Sequence, residues 1–229
     1  MMRWLLLMIA ACSSPRSEAA PTPRGPSIEL APIERDQLCV TKGSMSGGTV
    51  TEPTMRGYAR GAGGDAAELT FTYRGETEEG RELASGQMRR QLGLKLRAQD
   101  SCNVVYIMWR LDPTPKLDIS VKFNPNKRTH EECGAEGYTK IKPRKKTYVP
   151  AFEYGATHKL RGEIVGDNLF AWIDGHLMFQ GRLPDYARTI SGPAGVRSDN
   201  VKFDLVELAT PQMPARAKSA PPCKREGGD

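Results

Sequence analysis

The chain predicts an all-β fold, a two-sheet antiparallel sandwich. Apolar and polar residues alternate at period two over several segments, and turn residues punctuate those segments at short intervals. No stretch of comparable length between residues 36 and 208 carries a helical period. A length of 229 residues suits one sizeable domain, and 38% hydrophobic with 26% charged residues describes an ordinary globule. Nine of the 17 prolines fall in residues 13–35 and 209–229. Those segments read as an extended tether and tail, which places the domain at 36–208. No internal repeat is visible.

The strands follow in order. In "ELTFTYR", Leu69, Phe71 and Tyr73 share a face. "QLGLKLRA" puts Leu92, Leu94 and Leu96 on one side, with Lys95 and Arg97 opposite. "NVVYIMWRL" turns Val105, Ile107, Trp109 and Leu111 inward and Tyr106, Met108 and Arg110 outward. After the turn "DPTP", the strand "KLDISVKFN" sends Leu117, Ile119, Val121 and Phe123 in, and Asp118, Ser120 and Lys122 out. The next strand offers Leu160 and Ile164 to the core, leaving Lys159, Arg161 and Glu163 outside. "GDN" (166–168) closes one hairpin and Asp174-Gly175 the next, because a type I′ turn needs positive φ at both central residues. Between these turns Leu169, Ala171 and Ile173 take core parity, which leaves Phe170 and Trp172 facing outward. "VKFDLVEL" supplies a last strand.

The first dozen residues, "MMRWLLLMIAAC", place Arg3 before a short apolar run, Trp4 to Ala11. A bilayer span needs about 20 apolar residues, so this run reads as a secretory signal over residues 1–11. Ile9-Ala10-Ala11-Cys12 resembles the bacterial lipobox. The resemblance implies cleavage before Cys12, acylation of that cysteine and a lipidated tether over residues 12–35. Ser13 in the following position implies the outer membrane, with the domain facing periplasm or exterior. The membrane is then a partner through the lipid anchor only.

Lipidation of Cys12 leaves Cys39, Cys102, Cys133 and Cys223 in an oxidising compartment, an even number that implies disulfides. Cys102 and Cys133 flank a hairpin, and Cys39 and Cys223 lie at the two edges of the domain. Pairing Cys102–Cys133 and Cys39–Cys223 is therefore expected. Zinc is the rival use, but no C-x-x-C spacing exists and His130, His158 and His176 are scattered. No metal site and no cofactor is assigned. Asp199-Asn200 and Asp167-Asn168 are residue types that can bind calcium, and equally types that turns use. Net charge is +6 and spread along the chain; its densest run, "KIKPRKKTY" (140–148), reads as a solvated loop. No nucleic-acid-binding motif is present, and nucleic acid is not an expected partner of an exported chain.

"HKLRGEIVGDNLFAWIDGHLMF" followed by "GPAGVRSDNVKFDLVEL" resembles the C-terminal half of concanavalin A-like lectin and glucanase jelly rolls. The similar branches are laminin G-like modules and the 3-keto-disaccharide hydrolases, and "DSCNVVYIMWRL" resembles a strand of the latter. The resemblance covers residues 69–208 and implies a jelly roll. Glucanase members carry E-x-D-x-x-E on one strand, since retaining chemistry needs two carboxyls about 5 Å apart. Here only Glu34-Arg35-Asp36 begins that pattern, and Cys39 stands at its last position. The N-terminal stretch typical of the keto-disaccharide hydrolases is also missing. Asp118 and Glu163 are outward carboxylates that could pair or simply join a salt-bridged face. No Ser-His-Asp spacing is present, and His158 at core parity reads as a packed, hydrogen-bonded residue.

The outward set Tyr106, Arg110, Asp118, Lys122, Arg161, Phe170 and Trp172 suits a glycan or polysaccharide. Sugars present flat CH faces to rings and hydroxyls to charged groups, and Trp and Tyr offer apolar area with a polar handle. The competing reading packs the aromatics beneath a loop and uses the charges to protect the sheets from edge pairing. Three functions stand: a surface-anchored, non-catalytic carbohydrate-binding lipoprotein, a hydrolase or lyase of the keto-disaccharide type, and a structural envelope lipoprotein that binds protein. The lipobox reading has a direct test. Cys12→Ser should move the protein from the detergent phase to the aqueous phase on Triton X-114 partition, and retention in the detergent phase refutes it.

Overall fold

The computed structural model describes residues 25–212 and Cys223. Its strands run in chain order as β1 (Ala31–Pro32), β2 (Leu38–Lys42), β3 (Thr49–Val50), β4 (Thr54–Ala59) and β5 (Ala66–Glu76). Next come β6 (Gln91–Leu96), β7 (Val104–Arg110), β8 (Lys116–Lys122), β9 (Tyr138–Lys140) and β10 (Thr157–Val165). β11 (Asn168–Ile173), β12 (His176–Arg182), β13 (Gly195–Asp199) and β14 (Val201–Thr210) complete the set. They form two seven-stranded sheets. The first has the order β1-β14-β5-β10-β11-β12, with β3 beside β14; the second has the order β2-β4-β13-β6-β7-β8-β9. Every pairing is antiparallel, and the architecture is a jelly-roll sandwich. One helical turn, α1 (His130–Cys133), is too short to leave a periodicity in the sequence.

The alternation read from the sequence places the core correctly. Leu69 and Phe71 of β5, Leu160 and Ile164 of β10, and Leu169, Ala171 and Ile173 of β11 meet Leu94, Ile107, Trp109, Ile119 and Val121 from the facing sheet. Trp109 stands edge-on to Phe71 and Phe152 at 6.1 and 5.1 Å, and its Nε1 donates to the Pro150 carbonyl at 2.8 Å. Edge-to-face contact and a satisfied indole N–H are what a buried tryptophan requires. At Gly162 the sheets approach closely: a Cβ there would lie 2.2 Å from Ile107 Cδ1. His158 packs against Trp109 at 5.3 Å, and its Nδ1 lies 2.9 Å from Asp174 Oδ2. Asp174 and Gly175 both have positive φ, 48° and 82°, as the hairpin between β11 and β12 demands. Disulfides join Cys39 to Cys223 and Cys102 to Cys133.

Two expectations are corrected. Phe170 and Trp172 have outward parity, but they are only 4% and 3% exposed. A strap from the expected tether crosses this face. Ser27 N–H donates to Glu163 Oε2 at 2.9 Å, Ile28 N–H to Glu163 Oε1 at 3.2 Å, and Arg161 donates to the Ile28 carbonyl. In the β10–β11 register, Glu163 and Arg161 are the partners of Phe170 and Trp172, so the strap is pinned beside both rings. β1 then pairs with Ala209 and Thr210, and Ile33 N–H donates to Leu208 O at 2.9 Å. The fold thus includes residues 25–35, which the proline-rich composition assigned to the tether, and it also takes up Ala209, Thr210 and Cys223 of the expected tail. Residues 1–24, with Cys12, and most of the tail lie outside the described residues.

The second correction concerns the seven candidate residues, which do not share a face. Arg161, Phe170 and Trp172 belong to the first sheet, and Tyr106, Arg110, Asp118 and Lys122 to the second. Asp118 and Glu163 therefore stand on opposite outer faces and form no pair. Burial changes what truncation of Trp172 should do. Trp172→Ala is expected to cost about 3–5 kcal/mol in a denaturant titration, similar to a core aromatic such as Trp109. A loss below about 1 kcal/mol, the value for an exposed side chain, would contradict the strap-covered face.

Candidate functional site: a basic groove on the second sheet

The outer face of the second sheet carries a groove of about 460 Å³. Its floor is built by the outward alternation of five neighbouring strands: Arg56 on β4, Arg197 and Asp199 on β13, Gln91 and Lys95 on β6, Tyr106 and Met108 on β7, and Asp118, Ser120 and Lys122 on β8. β9 adds Tyr138 and Lys140 at the edge. Four of the seven candidates, Tyr106, Arg110, Asp118 and Lys122, thus do cluster. Three line the groove and Arg110 flanks it, bonded to Asp118 Oδ2 at 3.1 Å.

Two walls rise from this floor, and each is fastened by buried polar groups. One wall is the segment 81–89. Asn200, at positive φ between β13 and β14, holds both of its ends: Nδ2 donates to the Arg81 and Arg89 carbonyls at 2.9 Å, and Oδ1 accepts Arg81 N–H at 2.7 Å. The other wall is the turn 130–135. The Cys102–Cys133 disulfide ties it to the start of β7, and Lys122 Nζ donates to the carbonyls of Ser101 and Gly134 at 3.2 and 2.8 Å. A buried lysine clamping two carbonyls beside the two cysteines fixes the wall against the sheet.

Electrostatics on the floor is organised by two carboxylates. Asp199 accepts Arg197 Nε and Gln91 Nε2 at 2.9 and 2.7 Å, with Arg56 Nη2 at 3.7 Å. Asp118 takes Arg110, Lys140 and, at 3.6 Å, Arg89. Burial opposes ionisation of both acids, yet both are held below the usual carboxylate range. Arg197 and Arg56 prevail at Asp199, and Lys140 and Arg110 prevail at Asp118. The same face carries an aromatic stack: Tyr106 and Tyr138 are 6.1 Å apart at 24°. Arg197 Cζ sits 4.9 Å from the Tyr106 ring centroid, and Lys122 Nζ 5.3 Å from that of Tyr138. Burial, reinforced by neighbouring Tyr138, pushes the Tyr106 hydroxyl up to about 12. Tyr106 is covered, whereas Tyr138 is 41% exposed.

Sequence reasoning missed Arg197, Asp199, Arg56, Gln91 and Tyr138 as site residues. The alternation of "GVRSD" held part of the signal, since Arg197 and Asp199 have the same parity. Lys140 opens the basic run read as a solvated loop, but it belongs to β9 and meets Asp118. The other residue types noted for calcium have protein partners as well: Asp167 bonds Arg188, and Asn168 accepts Arg144 Nη2 at 2.8 Å. Among the described residues no group of three or more His, Cys, Asp or Glu side chains is placed to hold a metal ion.

No family model matches the chain, and no curated protein matches it in sequence. Solved structures do resemble it. A carbohydrate-binding module from Bacillus subtilis aligns with TM-score 0.49 and 13% identity over 76% of this chain and 95% of that one. A tetrameric galectin from the ball sponge Cinachyrella sp. aligns with TM-score 0.41 and 14% identity, over 69% and 99%. The Crh5 transglycosylase in complex with NAG gives 0.45 and 13%, over 82% and 85%. Likeness at this level transfers no ligand or activity, so the functional reading rests on the groove.

The Asp199 cluster yields a pH test. A carboxylate whose folded value is depressed stabilises the fold above its unfolded value of about 3.9, and the contribution fades as pH falls through the lower, folded value. Asp199→Asn strips a buried carboxylate from two arginines and should cost about 3–5 kcal/mol at pH 7. The gap to the parent protein should narrow as pH drops below about 4. Urea unfolding at several pH values measures both; a gap independent of pH would contradict the assignment.

Proposed function

We propose that this domain binds a glycan in the groove of the second sheet without cleaving it. The Tyr138 ring carries the reading: it is half-exposed at the groove edge, braced from behind by Tyr106, and surrounded by charged donors and acceptors. A pyranose needs a flat apolar surface for its CH face and polar groups for its hydroxyls, and the groove presents both within one opening. Glycoside hydrolysis needs a carboxylic acid that keeps its proton near the working pH. Asp118 and Asp199 are driven the other way by their basic neighbours, which supports binding over cleavage.

The lipobox-like start, Ile9-Ala10-Ala11-Cys12, supports attachment to a bacterial envelope membrane, with the outer membrane favoured by Ser13. The strap from Gly25 lies on the outer face of the first sheet, opposite the groove.

Tyr138→Ala should abolish retention of the protein in glycan affinity electrophoresis while changing stability by less than about 1 kcal/mol, as expected for a part-exposed edge residue. Undiminished retention would remove the groove from consideration. Reducing ends released from a bound polysaccharide would show cleavage.

A further inference from the structure

The groove is electrostatically unbalanced. Eight lysines and arginines line it against three carboxylates among the described residues. Two of the three carboxylates, Asp118 and Asp199, are already shared among several cations. The basic side remains under-supplied: among the described residues, Arg89 Nε and Arg110 Nε are buried without a hydrogen-bond acceptor. Burial, with the charge of Arg110 behind it, pushes the Arg89 guanidinium below its ordinary value, the direction expected where negative charge is short.

The cations stand where a ligand would need them. Lys140 lies two residues from Tyr138 on β9 and so shares its face, and it reaches the same carboxylate as Arg89. Lys122 Nζ approaches the Tyr138 ring itself. A sugar ring stacked on Tyr138 would therefore place its substituents among ammonium and guanidinium groups. A neutral sugar leaves that surplus uncompensated, whereas an acidic substituent supplies the counter-charge and accepts from the exposed ammonium and guanidinium donors.

We propose that the groove selects acidic glycans, polysaccharides whose rings bear carboxylate or sulfate, with Arg89 and Lys140 as the residues that read the acid. This rests on the glycan-binding reading and names its ligand class. Nucleic acid shares the negative charge but favours a row of stacking rings. Of the two tyrosines lining the groove, only Tyr138 is exposed.

The full chain would be titrated with polygalacturonate, dextran sulfate and unmodified dextran at low and high salt. Polygalacturonate, dextran sulfate or both should bind, more weakly as salt screens the charges, and unmodified dextran should bind at least about tenfold more weakly. The stronger of the two acidic polymers tells carboxylate from sulfate recognition. Arg89→Ala and Lys140→Ala should each weaken the acidic polymer about tenfold, the loss typical of one charge-assisted contact, in protein shown by thermal unfolding to be folded at the assay temperature. Dextran bound as tightly as the acidic polymers, with both variants at parental affinity, overturns the charge inference and leaves the glycan reading intact. Failure to bind any polysaccharide overturns both. Polyglutamate or single-stranded DNA bound as tightly as the acidic polysaccharides would also overturn the proposal, since the groove would then be a general polyanion surface.

Discussion

Two buried carboxylates hold the second sheet's outer face together. Five strands present arginines and lysines outward across this floor, at positions where neighbouring strands are only about 5 Å apart. Side by side and partly covered, such cations repel one another. Asp199 and Asp118 make the arrangement possible by each accepting several basic groups at once. Their ionisation is enforced by the cations they serve, so carboxylate and guanidinium depend on each other.

That dependence shapes what surrounds the floor. A groove with a charged base needs walls that do not collapse onto it, and each wall is fastened through its backbone polar groups, one of them by a disulfide as well. Asn200 holds one through the carbonyls and amide of segment 81–89, while Lys122 and the Cys102–Cys133 bridge hold the other. Between these walls Tyr138 is half-open and Tyr106 covered. The stack thus presents one ring to solvent with a second ring supporting it.

The first sheet solves the same problem differently. Its outward residues between β10 and β11 include two aromatic rings, and the strap at Ser27 and Ile28 closes over that side. Glu163, buried beneath it, and the partly covered Arg161 both bond the strap's backbone. One face is thus sealed by the chain itself and the other is left as a groove.

Much of this is legible in the order of residues alone. Period-two alternation places Phe71, Ile107, Trp109 and Leu160 in the core, because a pleated strand sends successive side chains to opposite faces. The positive φ required between β11 and β12 is written in Asp174-Gly175, and the positions of four cysteines at hairpin and domain edges name both disulfides. Alternation, however, reports only which side of its own strand a residue occupies. It does not say which sheet that strand joins, so Trp172 and Tyr106 look like members of one platform. Nor does it say what will cover an outward residue. That depends on segments far away in the chain, 136 residues for Ser27 over Glu163 and 119 for Asn200 beneath Arg81. Local sequence determined the strands, their inward faces and their turns, since those follow from neighbouring residues alone. The tertiary structure decided which outward face stayed open, because exposure is set by the distant segments that happen to pack there.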